Sequence, residues 1–268
     1  MVIHSDIWGP ATISSMSKAR YFITFIDECT RMTWVSLLHK KSDASTAFRE
    51  FINMVKTQFQ RQIQVWQSDN AMEFLENSLG DYLRQQGIRH HTSCTYTPQQ
   101  NGLAERKNRQ IMEMVRAFLF GMNMPRFYWG EAVKSTIYIM NSVPSRVIEF
   151  QTLYQKLQTF FNTPHQPNLE PRTFGCIVYV HIPKVLHSKL DPCAQRCVFV
   201  GYSDFQKGYR CYCPQTHKLH VSLDVSFHET TPYYLADKLG SPFQGRMCVK
   251  KEIYAKLFLI NVRVMMSL

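Results

Sequence analysis

No stretch of the sequence supplies the roughly 20 consecutive apolar residues that a membrane-spanning helix needs. The most apolar run, Ile253 to Leu268, is broken by Lys256 and Arg263. No signal peptide is visible, so a reducing intracellular setting without a membrane partner is the default expectation. There is no internal repeat and no low-complexity tract. Charged residues make up only 19%, too few for a wholly disordered chain, while apolar residues at 45% suffice for packed cores. Acids are the scarcer sign, 20 against 31 basic residues over 268 positions, leaving a net charge of +11. Such a balance suits an acidic partner, nucleic acid being the usual one, although many basic proteins bind none. The acid shortage is sharper in residues 151–268 than in residues 1–150.

Cysteine is present but irregularly placed. Cys193 and Cys197 are spaced C-x3-C, and Cys211 and Cys213 C-x-C. Four thiols can hold zinc. These pairs, however, fall in segments that read as strands and lack the glycine turns of a zinc ribbon. Buried free thiols are expected instead of zinc.

The pattern along the chain alternates sheet and helix. Residues 2–8 read as a short strand ended by Gly9-Pro10. Residues 21–27, aromatic and β-branched, read as a buried strand, with residues 33–38 as its hairpin partner. A helix is expected over 42–59, capped by Ser42, with Ala47, Phe48, Phe51, Ile52 and Val55 inward. A strand over 63–67 runs into Ser68-Asp69-Asn70. Then come a helix over 77–86 with Leu79, Tyr82 and Leu83 inward, a stop at Gly87, and a strand over 88–91. A polar loop (95–102) precedes helices over 103–120 and 128–142. This order predicts an α/β fold, an RNase H-like mixed sheet flanked by helices. Pro164, Pro167 and Pro171 mark a linker. Short strands at 176–181, 197–202, 209–213 and 220–225 predict a small β-rich barrel or meander. The expected organisation is a core over 1–145, a linker over 146–173, a β-rich domain over 174–230, and a disordered or degenerate tail over 231–268.

Three acids stand out by position. Asp6 ends the first strand, Asp69 ends the fourth, and Glu105 lies in the first turns of the long helix, with 35 residues between Asp69 and Glu105. In a sheet of this order the first and fourth strands can be neighbours, and the helix can bring Glu105 over their ends. Converging carboxylates repel unless a cation neutralises them. Two Mg²⁺ (or Mn²⁺) ions about 4 Å apart would do so, activating one oxygen and stabilising another in phosphoryl transfer. Singly, each acid would read as an ordinary surface residue.

The flanking residues make the triple specific. His4-Ser5-Asp6-Ile7-Trp8-Gly9-Pro10, Phe25-Ile26-Asp27-Glu28, Ser68-Asp69-Asn70, Tyr96-Thr97-Pro98-Gln99-Gln100-Asn101-Gly102 and Ala104-Glu105-Arg106-Lys107-Asn108-Arg109 resemble the integrase core of copia-type retrotransposon Pol polyproteins. Phe174-Gly175-Cys176 and Val198-Phe199-Val200-Gly201-Tyr202 resemble the SH3-like domain that follows that core. The resemblance covers about residues 2–230. It implies a D,D-35-E triad at Asp6, Asp69 and Glu105, serving as both catalytic and metal-binding acids. It also implies DNA 3′-end processing and strand transfer, DNA partners (element ends and target), self-association, and action in the nucleus. No convincing import signal accompanies it.

The chain departs from the family where Ala71-Met72 replaces Gly-Gly after Asp69-Asn70 and where Gln67 replaces Arg. The zinc module before the core and the polymerase regions after it are not in the sequence, as expected of a truncated or decaying copy. Arg109 shares the face of Glu105 and is expected to contact DNA, with Arg106 and Lys107 more peripheral and Gln100 and Asn101 on a loop near DNA. Each could instead belong to a solvated surface. The β-rich segment is expected to bind DNA or to pack the assembly. A DNA-binding remnant without activity and a simple nuclease of the same fold are the rival readings.

Overall fold

The computed structural model describes residues 1–69, 77–92, 101–144, 148–161, 169–183 and 188–234. Gln100, the Ala71-Met72 turn and the tail beyond Tyr234 lie outside the described residues. The chain divides into two compact units, residues 1–112 with 140–166, and residues 113–139 with 167–268.

In the first unit the strands β1 (Val2–Trp8), β2 (Tyr21–Asp27), β3 (Thr33–Leu38), β4 (Val65–Ser68) and β5 (Arg89–Thr92) form one sheet in the order β3-β2-β1-β4-β5. β1, β2 and β3 pair antiparallel, whereas β4 and β5 join in parallel. Three meandering antiparallel strands continued by parallel ones make the RNase H-like mixed sheet that the sequence order predicts. The parallel pairs require crossovers. The first is helix α1 (Ala44–Phe59), whose apolar stripe buries Ala47, Phe48, Phe51, Ile52, Val55 and Phe59. Phe51 stacks on Phe25 with ring centroids 4.3 Å apart, and Phe48 stacks on Trp66 at 4.0 Å. The second is helix α2 (Asn77–Gln85), which buries Leu79 and Leu83 and stops before Gly87 at φ +69°.

Ser42 does not cap α1. A short 3₁₀ turn over Lys41–Asp43 comes first, so Asp43 stands at the helix entrance, where its carboxylate accepts the main-chain N–H groups of His39 and Lys40. The linker reading of 146–173 also fails in part. Residues Leu153–Phe160 form a helix, α5, that buries Leu153 and Leu157 in the core of this unit. Thr152 caps α5 by accepting from Gln155 N at 2.9 Å, and Gln155 Oε1 accepts from Thr152 N at 2.8 Å. The long helix α3 (Gly102–Gly121) and helix α4 (Trp129–Ser142) occupy the predicted positions.

In the second unit β6 (Cys176–His181), β7 (Ala194–Tyr202), β8 (Tyr209–Cys213), β9 (Lys218–Ser222) and β10 (Val225–Pro232) form an antiparallel sheet in the order β10-β6-β7-β8-β9. The segment read as a single strand over 220–225 is in fact the end of β9, a turn, and the start of β10, which extends past residue 230. Phe199 sits at the centre with Tyr202, Tyr209 and Phe227 edge-on around it. Tyr138 of α4 stacks on Tyr202 at 3.7 Å. Gly201, at φ +128° beside a shift in the β7–β8 register, lies so close to Ser135 Oγ that a Cβ there would collide with it. Cys176, Cys197, Cys211 and Cys213 are buried free thiols, and Cys193 is exposed. Burial pushes the Cys176 and Cys197 thiols up to about 12.

Candidate active site

The site lies at one end of the first sheet. β1 and β4 run parallel with Ile3 opposite Trp66 and His4 opposite Gln67. Carried on by two residues, that register sets Asp6 level with Asp69. Alternation along the strands then turns both acids to the same face. Glu105 stands in the first turn of α3. Asp6 and Asp69 are half-buried and Glu105 is exposed.

The electrostatics of Asp6 record the convergence. Its carboxyl is pushed up to about 6, chiefly by burial and then by the charge of Asp69, with a smaller push from Glu105. Hydrogen bonds from Asn108 and from the Ile7 main chain act in the opposite direction. The charges of Asp69 and Glu105 therefore both reach the Asp6 carboxyl. As placed, though, no three His, Cys, Asp or Glu side chains among the described residues approach closely enough to ligate one ion.

Asn108 is the residue that sequence reasoning missed. It is buried within the polar run of α3, and its Nδ2 donates to Asp6 Oδ2 at 2.9 Å. Its Oδ1 accepts from Thr24 Oγ1 on β2, also at 2.9 Å. One amide therefore ties the helix to two strands and fixes a carboxylate rotamer. The only available signal was its spacing of three from Glu105, which puts both on neighbouring faces of the helix.

Among the expected DNA contacts, Arg106 and Arg109 are exposed on α3. Lys107 is half-buried, and burial together with the charge of Arg31 lowers its pKa. Asn101 does not fit the expectation of a DNA-facing loop residue. It is 2% exposed, and its Nδ2 donates to the Ser5 carbonyl at 3.1 Å. It closes the end of β1 against the start of α3 instead.

A five-stranded sheet in this order, three antiparallel strands continued by two parallel ones, is the RNase H-like fold. Comparison with known proteins narrows the class. Residues 2–98 match the integrase core domain family, and residues 176–240 match the retroviral polymerase SH3-like domain family. The chain is 36% identical over 236 residues to the Retrovirus-related Pol polyprotein from transposon TNT 1-94 of Nicotiana tabacum, covering 88% of this chain and 18% of that protein. It is 37% identical over 227 residues to the Pol polyprotein from transposon RE1 of Arabidopsis thaliana, covering 85% of this chain and 15% of that protein. The chain therefore spans less than a fifth of either relative. Among solved structures, the simian T-cell lymphotropic virus intasome in complex with PP2A regulatory subunit B56 gamma aligns at a TM-score of 0.48 and 17% identity, over 87% of this chain and 76% of that one. The chain belongs with the copia-type retrotransposon Pol polyproteins, of which it carries the integrase core and the SH3-like domain.

Proposed function

We propose that this chain is the DNA-joining segment of a retrotransposon integrase, acting on element ends and target DNA in the nucleus as a self-associated assembly. The observation that carries the reading is the raised Asp6 carboxyl, crowded by Asp69 and Glu105 and held by Asn108. A carboxylate kept partly desolvated beside two others is destabilised by their charge, and a bound cation would relieve that repulsion. The donor set fits Mg²⁺ or Mn²⁺, hard ions that take carboxylate oxygens and leave positions for phosphate and water. Asp6, Asp69 and Glu105 would hold it. When bound, the metal would lower the pKa of the attacking hydroxyl and neutralise the leaving oxygen.

The chain's own residues do the positioning. Asn108 and Thr24 keep Asp6 in one rotamer, so its oxygens need not reorganise as charge shifts. Asn101 fixes the main chain one residue earlier. Arg109, one helical turn beyond Glu105, is placed to take a non-bridging phosphate oxygen, and Arg106 supports the flanking backbone. In end processing, a water oxygen bonds to phosphorus while the bond to the 3′-oxygen breaks, freeing a 3′-hydroxyl. In strand transfer that hydroxyl attacks a target phosphodiester, and the target's own 3′-oxygen leaves.

The test is a nicking and strand-transfer assay with labelled element ends in Mg²⁺ or Mn²⁺, run beside Asp69→Asn. Joined products that disappear in the variant are expected. Nicking without joining would assign a nuclease instead. DNA binding without any product would make this copy a binding remnant.

A further inference from the structure

We infer that His90 is a positioning residue for the second carboxylate, acting through Ser68 on the main chain of Asp69. The inference rests on the integrase reading of the triad and deepens it. β5 pairs with β4 in parallel, with His90 opposite Trp66. The His90 ring lies flat on Trp66, 4.1 Å between centroids and 13° between planes. Trp66 is itself fully buried and stacks on Phe48 by its ring, and its Nε1 donates to Ser5 Oγ at 2.6 Å. The imidazole therefore has a fixed plane.

Its Nε2 lies 2.8 Å from Ser68 Oγ, and Ser68 Oγ donates to the Asp69 carbonyl at 2.9 Å. A serine hydroxyl carries one hydrogen. With that hydrogen on the Asp69 carbonyl, the contact to His90 requires the proton on Nε2. Burial, then the charge of His91, hold the ring pKa down to about 4, so the neutral Nε2–H tautomer is the species at pH 7.

The geometry places this pair on the sheet face opposite the acids. Ser5 and Ser68 each precede a metal-binding acid by one residue. Ser5 is held by Trp66 Nε1 and, at its carbonyl, by Asn101, while Ser68 is held by His90. The row Ser5–Trp66–His90–Ser68 therefore locks the ends of β1 and β4 from beneath, and His90 is its outer anchor. A strand end free to twist would swing the Asp69 side chain by more than a metal site tolerates.

Three variants of the whole chain separate this role from simple packing. His90→Phe keeps the stack and deletes the donor. His90→Gln restores a donor near the Nε2 position. Ser68→Ala removes the link. Mg²⁺ is titrated alone and its binding measured by calorimetry, beside long-range ¹H–¹⁵N spectra of the wild-type imidazoles. The Nε2–H tautomer is expected, with Mg²⁺ binding about tenfold weaker in His90→Phe and Ser68→Ala and within about twofold of wild type in His90→Gln. An Nδ1–H tautomer would overturn the inference, as would wild-type Mg²⁺ affinity in folded His90→Phe. The spectra need no variant, so a misfolded substitution leaves the test intact. A wild-type chain that binds Mg²⁺ with this pattern but joins no DNA would remove the integrase reading and keep His90. A wild-type chain that binds no Mg²⁺ would remove both.

Discussion

At the scale of single residues, the site stores unfavourable charge in the fold. The Asp6 carboxyl is raised from 3.8 to about 6 by burial and by Asp69. Below pH 4 the acid is protonated in both folded and unfolded chains, and the fold bears no cost. Between pH 4 and 6 the unfolded chain gives up the proton first, so stability falls as pH rises, and above 6 the loss is complete. A rise of that size corresponds to about 3 kcal/mol, and partial solvent screening brings this nearer to about 2. Asp6→Asn should accordingly melt several degrees above wild type at pH 7.5 in chelator. The advantage should vanish by pH 4 and shrink when Mg²⁺ is added. Thermal melts across that range check it, and an advantage that grows toward low pH would refute the assignment. Asn108 works in the other direction, its donated hydrogen bond lowering the same pKa. Asn108→Ala should move the acid limb of the activity–pH profile to higher pH and slow joining by roughly tenfold. A rate loss with no displacement of that limb would mean that Asn108 serves packing alone.

At the scale of elements, what could be read depended on how locally each element is specified. β2 was legible because Phe22, Ile23, Phe25 and Ile26 are buried in a run that has no helical period. The three acids drew attention because their flanking residues and spacing are unusual together. α5 was obscured by the three prolines that follow it, although Thr152-x-x-Gln155 is a capping-box signature ahead of Leu153 and Leu157. β10 was hidden because its half-buried apolar residues, Val225 and Phe227, are separated by polar neighbours. Glu229 makes that polarity useful, accepting from Arg172 Nη1 at 2.9 Å and from Thr173 Oγ1 at 3.0 Å. Asn101 was read as a loop residue and Asn108 was passed over for a common reason. An amide reads as surface until the strand it bonds is known, and that strand lies about a hundred residues away in each case. The α5 assignment predicts that Leu157→Ala, emptying a fully buried position, costs about 2–4 kcal/mol. Thr152→Ala should cost about 1 kcal/mol by loss of the cap. Denaturant titration with unchanged m-values is the measurement, and a Leu157→Ala loss under about 0.5 kcal/mol would return this segment to a linker.

At the scale of the whole molecule, charge is the property that a polynucleotide meets first. The net +11 arises from a shortage of acids rather than from one basic tract, so binding should be spread over many weak phosphate contacts. Each contact releases condensed counterions, and the logarithm of the association constant should fall linearly with the logarithm of salt concentration, by about 0.9 for each phosphate neutralised on a duplex. Arg106 and Arg109 are exposed on α3, whereas Lys107 is half-buried with a depressed pKa. Removing Arg106 or Arg109 should therefore lower the slope by about 1, and weaken binding to all sequences alike, because a phosphate carries no base identity. Lys107→Ala should change the slope less than either. Fluorescence anisotropy on one duplex from low to moderate salt gives all four slopes. Equal slopes for wild type and both arginine variants would show that α3 does not lie on the DNA, and the joining chemistry would then need another route to its phosphate.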